Sequence, residues 1–215
     1  MSRTSSVVAI SILALGLIGP AASAQTPTLG QAIDRLEAVA DGFPPRVTPE
    51  TRKEIEDLWR WAEKGMLQYR AGRPASEANA EFLLGEVYRL GHNLDIDDAS
   101  EKAIAHFKAA IKLDPTAAKF HFMLGRHLTY INELDEGQRE LLLAVALAPK
   151  EAGDRPLFDL THNYYLQHQF ALAAFFGERY LASHPDEPAI KLLVETSKKV
   201  LAGGPVPKTL SIEVP

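Results

Sequence analysis

Seven histidines and a cluster of three aspartates are the residues of this 215-residue chain best suited to chemistry, and their spacing decides against most of it. His121 and His127 are six residues apart, as are His162 and His168, which puts the members of each pair on opposed sides of a helix rather than on one metal ion. Asp95, Asp97 and Asp98 offer oxygen ligands, but the stretch lacks the glycine at the sixth place and the glutamate at the twelfth that a calcium loop uses. Asp98, with Glu101 three residues on, instead has the spacing of a helix capping box. No phosphate-binding glycine loop, dinucleotide fingerprint or nucleophile elbow occurs. With no cysteine there is no disulfide framework and no lipid-acceptor cysteine. The expectation is a protein without metal, cofactor or catalytic centre. An enzyme assembled from residues distant in sequence, such as a divergent envelope hydrolase, is the alternative.

The first 24 residues are set apart from the rest. Arg3 supplies a positive start, Val7 to Ile18 is an apolar run ended by Gly19 and Pro20, and Ala22-Ser23-Ala24 offers the small residues before a signal-peptidase cut. The run is shorter than the roughly 20 apolar residues a membrane span needs. Export is therefore expected, to the periplasm of a bacterial envelope or beyond it, with no membrane span after cleavage. Removing these residues leaves 191 of the 215, enough for a sizeable core, with 22 basic against 28 acidic residues. That balance gives no support for nucleic-acid binding.

The remainder reads as helices throughout. Leu29, Ile33, Leu36 and Val39 recur at helical spacing before Gly42-Phe43-Pro44-Pro45 breaks the pattern. Thr48 caps a second helix with Pro49 in its first turn, and Ile55, Leu58, Ala62, Met66 and Tyr69 form its apolar stripe. Trp59 and Trp61 cannot share a face, so one of them is expected to be partly exposed. Residues 25–75 thus form an N-terminal helical cap or a degenerate unit. Further helices are expected at 77–91, 99–113, 116–130, 135–148, 156–167, 170–183 and 188–202.

These helices repeat. With Ala118 as the first place of a unit, Leu124-Gly125 stand at places seven and eight, Gly137 at twenty, Leu141 at twenty-four, Ala144 at twenty-seven and Pro149 at thirty-two. The preceding unit matches with Leu84-Gly85, Tyr88, Ala103, Phe107, Ala110 and Pro115, and the following one with Leu160-Thr161, Tyr164, Ala173 and Pro185. Pro115 to Pro149 is one period of 34 residues. On these residues the stretch from about 77 to 185 resembles the tetratricopeptide repeat (TPR). The first unit carries about six extra residues between its helices and the third carries two before its first helix. Glu81, His121 and Leu157 replace the aromatic usual at place four, and Tyr180 stands where a small residue is usual.

The resemblance implies an all-α, right-handed superhelical solenoid of antiparallel helix pairs, about nine helices in all. Residues 76–185 would form three units and 186–202 a polar-backed C-terminal capping helix. It also implies a concave face, lined by the first helix of each unit, that binds an extended peptide or a partner protein. Place five holds Phe82, Phe122 and Phe158, which fall into the 34-residue period once the insertions are subtracted. Beside them, at places two and nine, stand Lys119, Arg155, Arg126, His162 and Glu86. Such a groove suits apolar side chains accompanied by acidic groups. The family's clamp for chaperone tails needs lysine and asparagine where this chain has phenylalanine and Glu, Arg or His. A purely structural subunit, assembled through its outer faces, is the alternative binding class. The tail 203–215 is expected to be extended, with Leu210, Ile212 and Val214 alternating as in a strand.

Overall fold

A computed structural model describes residues 27–42, 44–74, 77–147 and 154–207, and these are all-helical, with no strand among them. The proposed signal segment, Pro149 and the alternating residues Leu210, Ile212 and Val214 lie outside the described residues. Nine helices are described: α1 (Leu29–Ala40), α2 (Pro49–Ala71), α3 (Ala78–Asn93), α4 (Ala99–Leu113), α5 (Ala118–Tyr130), α6 (Leu134–Leu147), α7 (Arg155–Leu166), α8 (Phe170–Leu181) and α9 (Pro188–Leu201). The chain forms two compact units that divide within α4, one ending at His106 and the other starting at Phe107.

In the first unit α1 packs on both α2 and α3, and α2 packs on α3. Thr28 opens α1 through a reciprocal cap: Gln31 N–H donates to Thr28 Oγ1 (3.3 Å) and Thr28 N–H donates to Gln31 Oε1 (2.9 Å). The buried stripe of α2 is Ile55, Trp59, Ala62 and Met66, so Trp59 takes the inward place read for Leu58. Trp59 is 3% exposed and its indole N–H donates to Val87 O (2.7 Å), while Trp61 is 38% exposed. An aromatic this large is held inside by a satisfied N–H as well as by its burial. The insertion after α3 is pinned by α2. Arg52 donates to Leu94 O (3.2 Å) and to the Asp95 carboxylate (3.3 Å), and Asp95 and Asp98 both adopt left-handed backbone (φ 60 and 58). That conformation at Asp98 differs from the extended backbone of a capping residue.

In the second unit each helix from α5 to α9 packs on the next, and α5 also meets α7, as α7 meets α9. The crossing of α5 with α6 is closed by glycines. A Cβ built on Gly125 would lie 2.8 Å from Leu141 N and 2.9 Å from Gly137 O, both backbone atoms of the other helix. Sixteen residues separate Gly125 from Leu141, and sixteen separate Thr161 from Gly177 at the next crossing, where the small residue has changed sides. A Cβ on Gly177 would meet Thr161 Cγ2 at 3.1 Å and collide with Val194. Each crossing keeps one partner without a side chain, which sets how closely the helices approach.

The repeat is visible in paired side chains as well. Tyr88 stacks on His106 (centroids 5.3 Å apart, planes at 4°), and Tyr164 stacks on Phe176 in the same manner (5.2 Å, 11°). Places four and twenty-three carry a matched pair in every unit, with three chemistries. Glu81 meets His106 Nδ1 at 2.7 Å, His121 Nδ1 meets Glu140 at 2.6 Å, and Leu157 and Phe176 lie in one apolar cluster. Glu81 also accepts from Arg70 Nε (2.8 Å). Burial alone would raise the Glu81 carboxyl, but the hydrogen bonds from His106 and Arg70 outweigh it and hold the group below its usual range.

Copying the third unit's solution into the first tests this equivalence. Glu81→Leu alone removes the acceptor of His106 and Arg70 and is expected to cost about 1–2 kcal/mol. Adding His106→Phe recreates the stacked Tyr and Phe of the third unit and should return stability to within about 1 kcal/mol of the parent. Urea titration of the parent, both singles and the double checks it, and a double mutant no better than Glu81→Leu refutes the equivalence.

Candidate functional site

The residues expected to line a groove fall on three helices. Phe82 is on α3 in the first unit; Lys119, Phe122 and Arg126 are on α5, and Arg155, Phe158 and His162 on α7, in the second. Along α5 the members Phe122, Arg126 and Tyr130 recur every four residues, so they share one face, with Lys119 one turn earlier. Arg155, Phe158 and His162 repeat that arrangement on α7. The contact of α5 with α7 brings the two stripes together: the rings of Tyr130 and His162 are 5.8 Å apart.

The two phenylalanines are neither fully core nor free. Phe122 and Phe158 are partly buried against the core cluster of Leu160, Tyr164, Tyr165, Phe176 and Tyr180, and Phe158 meets Tyr180 edge-on at 5.5 Å. Their undersides are anchored and their rims remain on the surface, an arrangement that fixes a ring without hiding it. Beyond them Tyr130 is 46% exposed, with the Arg126 guanidinium 5.7 Å from its ring centre. Lys119 and Arg155 are exposed at the start of their helices.

His162 does not belong with the cations. Burial alone pushes its imidazole down to about 4, so at neutral pH it is an uncharged ring against Tyr130. The positive charge of this face is carried by Lys119, Arg126 and Arg155. Glu86 is also placed differently from its expected position beside the groove. It is buried and pairs with Arg89 (3.3 Å), which reaches Asp41 at the end of α1 (2.9 Å). Asn93 adds a donor to Ala40 O (2.7 Å), so the polar face of α3 is occupied by α1.

Sequence reading missed two members of the site. Tyr130 was legible as the next step of the Phe122, Arg126 stripe. Leu192 lies 34 residues after Phe158, one repeat further, on α9, which packs on α7. It is 55% exposed while Ile190, Leu193 and Val194 around it are buried. The expectation of a polar-backed helix holds around it, where Lys191, Glu195, Lys198 and Lys199 are also exposed. Phe122, Phe158 and Leu192 therefore make one apolar position on each of three adjoining helices.

Among the described residues three carboxylate-imidazole pairs invite a catalytic reading, the third being His184 with Asp154 (3.5 Å) at the surface. The His121 ring is used at both nitrogens, by Glu140 and by Pro115 O (3.0 Å). His106 is fixed by Glu81 and by its stack on Tyr88. None of these three imidazoles is hydrogen-bonded to a hydroxyl group among the described residues, as activation of a nucleophile requires. Among the same residues no group of three or more His, Asp or Glu side chains is placed to hold a metal ion, and no helix is long and apolar enough to cross a membrane. Neither a scan against protein-family models nor a search of curated proteins finds a match for this chain.

Proposed function

We propose that this chain is an exported TPR-type protein, a right-handed solenoid that binds an extended peptide or a segment of another protein in the bacterial envelope, without catalysis or cofactor. The reading rests above all on the face made by α5, α7 and α9. Phe122, Phe158 and Leu192 stand one per helix at a common spacing, and Lys119, Arg126 and Arg155 flank the two phenylalanines along α5 and α7 in a chain whose net charge is −5. Anchored aromatic rims flanked by cations supply the two contacts such recognition needs, apolar pockets and charge-assisted hydrogen bonds. Export is read from residues 1–24, and the TPR assignment from the repeat spacing together with the matched Tyr88/His106 and Tyr164/Phe176 stacks.

A structural subunit assembled through its outer faces is the second reading, favoured by the exposed Leu172 and Phe175 on α8 and Leu143 on α6. Site-specific photo-crosslinking in cells separates the two. A benzophenone side chain at Tyr130 is expected to trap a partner, and one at Phe175 to trap none. Crosslinks from Phe175 and not from Tyr130 assign the protein to the second class. Silence at both sites contradicts binding on either surface.

A further inference from the structure

The face proposed for peptide is tethered to a segment of its own chain that has a ligand's composition. α9 ends in a glycine turn: Gly203 takes left-handed backbone (φ 92) and Gly204 N–H donates to Lys199 O (2.9 Å), so the chain is turned back against the last turn of the helix. The approach is close, since a Cβ on Gly204 would lie 2.7 Å from Lys199 O. Pro205 and Val206 follow at the surface, and residues 208–215 lie beyond Pro207.

That segment is long enough to cover the exposed side of α9. Extended at about 3.3 Å per residue it spans roughly 26 Å, whereas Leu192 lies only about 14 Å back along the helix from its end at Leu201. Its sequence supplies what the face is proposed to take. Leu210, Ile212 and Val214 are apolar and Glu213 is acidic, to be set against the exposed Leu192 and Lys199 of α9 and Arg155 of α7, the helix on which α9 packs. Tethering decides how much this matters. A short linker holds a segment at an effective concentration on the order of millimolar, so one that binds as weakly as about 0.1 mM lowers the affinity of a competing peptide about tenfold. We propose that residues 208–215 lie over α9 and the adjoining rim of α7 as a built-in competitor for the peptide face, an inference that rests on the peptide-binding reading and adds its regulation. A partner then binds by displacing the tail.

Fluorescence polarisation with the full chain and a labelled synthetic peptide of leucine, proline and glutamate tests the proposal. Leu210→Ser, Ile212→Ser and Val214→Ser together remove the competitor's apolar side chains without touching a helix. The triple variant is expected to bind the probe about tenfold more tightly than the parent does, and an unlabelled peptide of residues 208–215 to displace the probe from it. In the parent, a benzophenone side chain at Leu192 is expected to crosslink to residues 208–215 of the same chain, and saturating probe to prevent that crosslink.

Equal binding of the probe by the parent and the triple variant overturns the competitor and leaves the peptide-binding reading standing. Probe binding by neither protein overturns both. A triple variant that binds more weakly than the parent makes the tail a support for the ligand rather than its rival, and a Leu192 crosslink to residues 208–215 of a second copy gives the face to a dimer. Either result overturns the proposal, as does a parent in which Leu192 captures nothing from the tail.

Discussion

Replacing Gly125 with leucine lowers the denaturation midpoint, with an expected loss of roughly 1–3 kcal/mol. Helix propensity argues the other way, since glycine inside a helix costs about 1 kcal/mol relative to alanine. Packing decides the sign. Even the first carbon of a new side chain would come within 2.8 Å of Leu141 N and 2.9 Å of Gly137 O, and backbone atoms of a facing helix cannot rotate aside. Gly125→Ala is therefore also destabilising, whereas Gly30→Ala, with nothing within 4 Å of its added carbon, is neutral or stabilising. Denaturant titration of the three variants checks it. An unchanged midpoint in Gly125→Leu contradicts the assigned crossing and with it the repeat register.

Acid should destabilise the protein through His162. Its folded-state value is pushed down to about 4 from 6.5, so between those limits the unfolded chain binds a proton that the folded chain refuses. Stability is then complete above pH 6.5 and declines as the pH falls toward 4, by up to about 3 kcal/mol from this residue. His162→Phe keeps an aromatic ring beside Tyr130 and removes the titration. The variant is expected to lose about 3 kcal/mol less than the parent over that range, measured as urea-unfolding free energy at pH 7 and pH 4. Parallel curves for the two proteins contradict a partly buried, neutral ring.

Much of the fold was legible because helical spacing and punctuation coincide in this chain. Gly42, Thr48 with Pro49, Pro115 and Pro185 bound the helices close to their observed ends. The divergence of Trp59 and Trp61 followed from helical geometry alone. Departures from the repeat were harder to interpret. Glu81 and His121 read as losses of an aromatic, yet each is one half of a hydrogen-bonded pair whose other half lies 25 or 19 residues away. Thr161 read as a weaker glycine, although Gly177 supplies the missing space from the other helix. Such exchanges are invisible to a position-by-position comparison because the helix crossing conserves their sum.

The site was legible in outline only. Period arithmetic placed Phe122 and Phe158 in register, and the same arithmetic reaches Leu192, which its helix's terminal position disguised as part of a cap. His162 was grouped with the cations by residue type. Its neutrality comes from burial, which one sequence does not display. Glu86 was assigned to the groove by its place in the repeat, but α1 packs on α3 and takes that face, a contact between helices that share no repeat pattern.

The most direct measurement of the central claim is a map of backbone amide shifts by NMR as an extended synthetic peptide of leucine, proline and glutamate is titrated into the protein. Peptide binding on the α5, α7 and α9 face predicts the largest changes at and around Phe122, Arg126, Tyr130, Phe158, His162 and Leu192. Changes centred on Leu143, Leu172 and Phe175, or none at saturating peptide, would contradict it.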